Sequence, residues 1–231
     1  MQNFNAAQTR ESITAAFTAA NAAYVTRNGE KAQVNEKTGF NDSIYAGFQT
    51  ALKFTDAQLH AVDTGLGLTW ESIAQAIAGA SNVKKAMRIP QFLLFCVSGD
   101  GNALRGSAKT AFLAFAALMC EAKTRAGIAF GVTGKGNEHT SDAIRGYENA
   151  RKVLAKMGGV DSASAPTQIS VAMSRGGILP ALGVCEAMPK GAPVPAINGD
   201  SKLAQTLATI IAGLQEGTID LLAEQAQGKQ A

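Results

Sequence analysis

The sequence predicts a mainly α-helical fold with one small β element, α+β being the alternative, and three observations predict it. Six or seven stretches repeat apolar residues at spacings of three and four, whereas at most three short stretches alternate as strands do. Much of the 46% hydrophobic content is alanine, the best helix former, so close helix packing is favoured over large apolar anchors. Ser, Thr, Asn or Asp stands before most of the helical stretches and Gly after several, as helix caps require. With 231 residues the chain is long enough to bury a core without disulfides or metals, and one globular domain over residues 1–231 is expected.

Taken in order, residues 10–25 carry Ile13, Phe17, Ala20 and Tyr24 on one helical face, and Asn28-Gly29 breaks that helix. Residues 30–40 are polar and read as a hairpin or an exposed loop around Thr38-Gly39. A second helix starts at an Asn41 or Asp42 cap and turns Ile44, Phe48 and Leu52 inward. Thr55 caps a third, ended by Gly65-Leu66-Gly67, and Thr69 caps a fourth that buries Trp70, Ile73 and Ile77. Ser81 caps a helix that Pro90 should bend or end, because proline disfavours helical backbone in the residue before it. The apolar run FLLFCV that follows fits a buried strand or a buried helix equally.

Residues 98–102 form a loop leading to the longest predicted helix, 107–125, with Phe112, Phe115, Ala116 and Met119 inward. Residues 127–136, with four glycines, read as a short strand or a loop. A helix capped by Thr140 or Ser141 runs to Gly158, with Arg145, Lys152 and Lys156 opposite its apolar face. Residues 168–173 alternate and predict a strand, while Gly176-Gly177 and Pro180 argue against a regular helix over 174–188. A Pro-rich connector at 189–200 leads to a last helix over about 201–225, and 217–231 is expected to be a tail with an apolar strip.

Composition excludes several function classes. No uncharged apolar run reaches the roughly 20 residues that span a bilayer, and no charged segment followed by an apolar one marks a signal peptide, so no membrane partner is expected. Cys96, Cys120 and Cys185 stand far apart, which suggests neither a disulfide framework nor a CxxC clamp. His60 and His139 belong to no metal-binding pattern, so no metal or other cofactor is expected. The formal charge of +3 conceals a strong polarity. Residues 81–156 hold twelve cations against five acids, a local +7, whereas each flank sums to −2. Such a block is the footprint of a polyanion site, or else the solvated face of ordinary helices.

Three patterns within the block carry candidate chemistry. Residues 101–110, GNALRGSAKT, resemble a phosphate-binding loop, but Ser107-Ala108 separates Lys109 from Gly106, so nucleotide hydrolysis is not expected. An anion contact by Arg105, Lys109 and the amides of Gly106 and Ser107 survives that rejection. Ser81 and Lys84 match the SxxK spacing of some acyl-transfer enzymes, yet no SDN or KTG partner follows and the cap reading of Ser81 prevails. No enzymatic activity is expected. Nucleic-acid binding fits better, with Lys84, Lys85, Arg88, Arg105, Lys109, Lys135, Arg145, Arg151 and Lys152 neutralising phosphates and Tyr147 or Phe130 stacking on bases. Trp70 is a further stacking candidate if its indole is partly exposed, although packing is its default role. No helix-turn-helix, zinc-finger or RNP signature is present, so duplex sequence reading is not expected.

Four stretches, taken together, carry a resemblance: the Ala-rich N-terminal helix, KKAMRIPQFLLF, SGDGNALRGSAKTAF, and the Gly/Pro-rich C-terminal third. Over its whole length the chain resembles the single-stranded-DNA-binding RNA polymerase cofactors of podoviruses that package a giant RNA polymerase in the virion. The resemblance implies a fold unlike the OB-barrel, preferential binding of single-stranded DNA, and recruitment of the phage-encoded RNA polymerase to melted promoters in the cytoplasm of the bacterial host. Homo-oligomerisation stays open. The alternative is a virion structural or assembly protein without DNA affinity, whose Ala/Gly-rich faces pack against identical copies.

Overall fold

Local side-chain chemistry sets most of the helix boundaries. In the computed structural model, which describes residues 4–80, 83–104, 106–119, 172–174, 176–187 and 196–219, α1 (Ala6–Asn28) begins where the Asn5 side chain accepts from the N–H groups of Ala7 and Gln8. It stops at Gly29, whose φ of 52° suits a residue without Cβ. Asn41 caps α2 (Asp42–Leu52), and Thr55 and Thr69 open α3 (Asp56–Gly65) and α4 (Trp70–Ala78), each through a reciprocal capping box. These starts stand where the sequence puts them. Helices take up 71% of the described residues and no strand occurs among them, which makes the fold mainly α.

The expected β element reduces, among the described residues, to two isolated antiparallel bridges. One joins Asn35 to Phe40 and closes the Thr38-Gly39 turn, and the other joins Cys185 to Ile197. Buried Asn21 of α1 holds the first turn with both ends of its amide, donating to the Gly39 carbonyl at 3.0 Å and accepting from the Asn41 N–H at 2.9 Å. Of the strand expected over 168–173, the described end, Ala172 and Met173, is helical, and the rest lies outside the described residues.

The main correction concerns Pro90. Helix α5 (Val83–Ser98) continues past it and takes in the whole FLLFCV run, so the helix does not end there and the run is not a strand. A proline inside a helix costs about 3 kcal/mol, since the backbone bond to the carbonyl four residues back is lost. Ile89, Phe92, Leu93 and Phe95 are buried to 2% exposure or less, and each such side chain contributes about 1.5–3 kcal/mol, so burial wins.

The other helices are arranged around α5. Helices α2, α3 and α4 each touch both α1 and α5 and form a layer between them. Beyond α5 lie α6 (Ser107–Met119), the single turn α7 (Ile178–Ala181) and α8 (Lys202–Glu216). The core runs through all of them, from Ile13 of α1 to Leu214 of α8. The last helix is shorter than expected. It is capped by Ser201 and ends at Gly217, whose left-handed φ of 75° lets the N–H groups of Thr218 and Ile219 return to the Gly213 carbonyl at 2.9 and 3.1 Å. Ile219 folds back over Gly213, where a Cβ would lie 2.6 Å from its Cδ1.

Gly47 of α2 sets the closeness of the α2, α4 and α5 contact. A Cβ there would sit 2.6 Å from Cγ2 of buried Ile77 and 3.4 Å from the Ala86 carbonyl oxygen, which Pro90 leaves without its helical donor. Gly47→Ala should therefore destabilise the protein by about 1–3 kcal/mol in urea unfolding, despite the better helix propensity of alanine. A variant as stable as the parent would contradict this packing.

Candidate nucleic-acid interface

Helix starts are positive ends, where acidic side chains stabilise and basic ones cost about 0.3–1 kcal/mol each. The first turns of both α5 and α6 lack an acidic residue, and both helix starts carry cations instead. Lys84 and Lys85 stand one turn before Arg88 in α5, and Lys109 stands in the first turn of α6. The fold seats Arg88, in the second turn of α5, against the start of α6. Half-buried Arg88 donates from Nη1 to Oε1 of Gln91, one turn further on, and its Nε would lie 3.2 Å from a Cβ on Gly106, the residue that opens α6. Gly106 has a φ of 53°, so glycine both permits the turn and leaves room for the guanidinium.

At the start of α6 the described geometry departs from that of a phosphate loop. Thr110, which a phosphate loop would turn toward a metal, is 1% exposed and its hydroxyl donates to the Gly106 carbonyl at 3.2 Å. What remains is two helix starts and the cations upon them. Of the other residues singled out in the sequence, Arg105, Phe130, Lys135, Arg145, Tyr147, Arg151 and Lys152 lie outside the described residues, as does Ser81. For Lys84 and Lys85 the backbone position alone is described.

Trp70 is removed from the stacking candidates. Its ring is 5% exposed, lies edge-on to Phe54 at 6.4 Å, and donates from Nε1 to Oδ1 of Asp63 at 2.7 Å. Asp63 also accepts from the Thr9 hydroxyl at 3.1 Å, so one carboxylate joins α1, α3 and α4. Phe92, Phe95, Phe112 and Phe115 belong to the core, as their helical spacing indicates, with Phe95 and Phe112 edge-to-face at 5.2 Å.

A groove of about 610 Å³ lies where the α3–α4 loop, residues 180–183 and the start of α8 meet, lined by Leu66, Thr69, Pro180, Leu182, Asp200 and Lys202 among others. Lys202 and Asp200 are the charged residues of its lining and balance one another, so it adds nothing to a polyanion surface. His60 packs against the Phe4 ring with centroids 4.6 Å apart. No group of three or more His, Cys, Asp or Glu that could hold a metal occurs among the described residues. No described helix is long and apolar enough to cross a membrane.

Sequence reasoning missed the seat of Arg88 on Gly106, because a glycine eighteen positions away gives no periodic signal. Comparison with protein families, curated proteins and solved structures finds no match for this chain.

Two outcomes check these surroundings. Asp63→Ala leaves the buried indole N–H unpaired and should cost about 1–3 kcal/mol in denaturant unfolding; a loss below about 0.5 kcal/mol would contradict the three-helix role of Asp63. Burial raises the thiol pKa of Cys96 and pushes that of Cys185 up to about 11. The stability they contribute is therefore complete below the ordinary value of 9.0 and is lost as pH rises through 9.0 toward 11. Site-resolved alkylation at pH 8 should be slow at both cysteines in the native protein and fast after unfolding, and equal rates would refute their burial.

Proposed function

We propose that this protein is a non-enzymatic single-stranded-DNA binder that acts in phage transcription, holding melted promoter DNA and recruiting the phage RNA polymerase. The observation that carries the DNA-binding part is the placement of cations on the positive ends of α5 and α6, against helix stability, with Arg88 over Gly106 joining the two. A phosphodiester at that junction would meet cationic side chains and positive helix ends at once. The +7 balance of residues 81–156 extends the same preference along the chain. Single strands are favoured over duplex because α6 has no free face to enter a groove: Ala108 and the six residues from Ala111 to Ala116 are all buried. The transcription part of the proposal rests on the resemblance to the podoviral polymerase cofactors.

Charge reversal tests the proposal. The variant Lys84→Glu/Lys85→Glu/Arg88→Glu, with its folding verified by circular dichroism, should bind a labelled single strand at least about ten-fold more weakly. Its plot of log affinity against log salt should flatten by about 2, since each single-strand phosphate contributes about 0.7 to the slope. A double variant, Lys84→Glu/Lys85→Glu, spares the Arg88–Gly106 packing and should flatten the slope by about 1.4. Unchanged affinity and slope in the folded variants would reject this interface. The virion-assembly reading draws on the outer face of α1, where Ala15, Ala19, Ala22 and Ala23 are exposed, and it predicts large stable oligomers without strand binding.

A further inference from the structure

The chain contains two Asn-Gly pairs, Asn28-Gly29 and Asn198-Gly199, and the fold treats them oppositely. Such a pair carries a reaction of its own. The backbone nitrogen of the glycine, with no side chain beside it to hinder approach, can attack the amide carbon of the asparagine side chain when geometry brings the two together. Hydrogen bonding in the folded chain decides whether they meet.

Asn28-Gly29 closes α1 and is locked. Asn28 is half-buried, its ψ of −14° continues the helix, and its Nδ2 donates to the Tyr24 carbonyl at 2.7 Å, which turns the amide back along α1. The Gly29 N–H donates in turn to the Val25 carbonyl. Attack would break both bonds.

Asn198-Gly199 stands in the turn before α8, and both residues are exposed. Among the described residues the Gly199 N–H finds no acceptor, so no bond holds its nitrogen back. The Asn198 side chain arches over the following peptide, because its Oδ1 accepts from the Asp200 N–H at 3.2 Å. That bond is aimed at the oxygen on which negative charge gathers when the amide carbon is attacked. Nδ2 of Asn198 donates to the Gly183 carbonyl at 3.2 Å and its N–H donates to the Val184 carbonyl at 2.8 Å, which fixes the residue in this pose.

We propose that Asn198 is a site of spontaneous deamidation in the folded protein, whereas Asn28 is protected. Hydroxide takes the proton of the Gly199 N–H, the nitrogen bonds to Cγ of Asn198, and the Cγ–Nδ2 bond breaks as ammonia leaves with a proton from water. Water then opens the cyclic imide at either carbonyl and leaves aspartate or isoaspartate. The product carboxylate cannot donate to the Gly183 carbonyl, so the tie between that turn and the start of α8 is lost. Asn198 also lines the groove in which Lys202 balances Asp200, and a second acid turns that neutral lining negative.

Full-length protein is incubated at pH 8, folded or in urea, then digested under mildly acidic conditions. The peptides are followed by mass spectrometry, with isoaspartate scored by enzymatic methylation. In the folded protein Asn198 should convert several-fold faster than Asn28, to both aspartate and isoaspartate, and in urea the two rates should converge. A Cβ on Gly199 would meet nothing within 4 Å, and its φ is not left-handed, so Gly199→Ala fits the fold. That variant should keep the parent's thermal unfolding and slow conversion at Asn198 several-fold. Conversion of Asn28 as fast as Asn198 in the folded protein, or no conversion of Asn198 until the chain unfolds, overturns the proposal. Aspartate without isoaspartate at position 198 also overturns it, because a cyclic imide opens both ways.

Discussion

The burial of α5 on several sides at once is the constraint on which the rest of the structure depends. Among the described residues α2, α3, α4, α6 and α8 touch it, and its Ile89, Phe92, Leu93 and Phe95 fill the space between the α2–α3–α4 layer and the later helices. The apolar area it removes from water outweighs the bond that Pro90 deletes, so a segment with a local signal to stop stays helical for 16 residues. Gly47 shows the same priority from the other side. The helix that packs most extensively on α5 gives up a side chain so that its backbone can lie against the Ala86 carbonyl.

That helix also links the fold to the proposed function, because its two ends have opposite characters. The second half is committed to the core, while the first turn carries Lys84 and Lys85 at the positive end of the helix dipole, with Arg88 one turn on. Burial of the second half fixes where those cations stand. Arg88 is further held by Gln91 and by its seat over Gly106, which brings it to the start of α6 near Lys109. A pre-positioned guanidinium loses less side-chain entropy on meeting a phosphate than a free surface lysine does.

Features whose chemistry is local were legible in the sequence. Asn41, Thr55 and Thr69 read as caps because the groups they satisfy lie two or three residues away, and each acts as one. The stop of α8 was not legible: the helix was expected to run to about 225, whereas it ends at Gly217 with Ile219 folding back over Gly213. That α5 does not end at Pro90 was not legible, because the proline's local effect is outweighed by burial against α2, α3, α4, α6 and α8. Trp70 was placed on the right face, whereas its Asp63 partner sits in the preceding helix and could not be paired with it from spacing. At the candidate interface the cations were legible as a charge block. The seat of Arg88 on Gly106 depends on how α5 and α6 are juxtaposed, which no local pattern encodes.

The central claim is that the chain prefers single-stranded DNA and holds it largely by phosphate contacts. Fluorescence anisotropy with a labelled single strand, a scrambled single strand and the matching duplex, each at low and moderate salt, tests it most directly. The account predicts tighter binding to both single strands than to the duplex, with a log–log salt slope equivalent to several phosphates, about −0.7 for each. Equal weak binding to all three, or no binding at all, would contradict it.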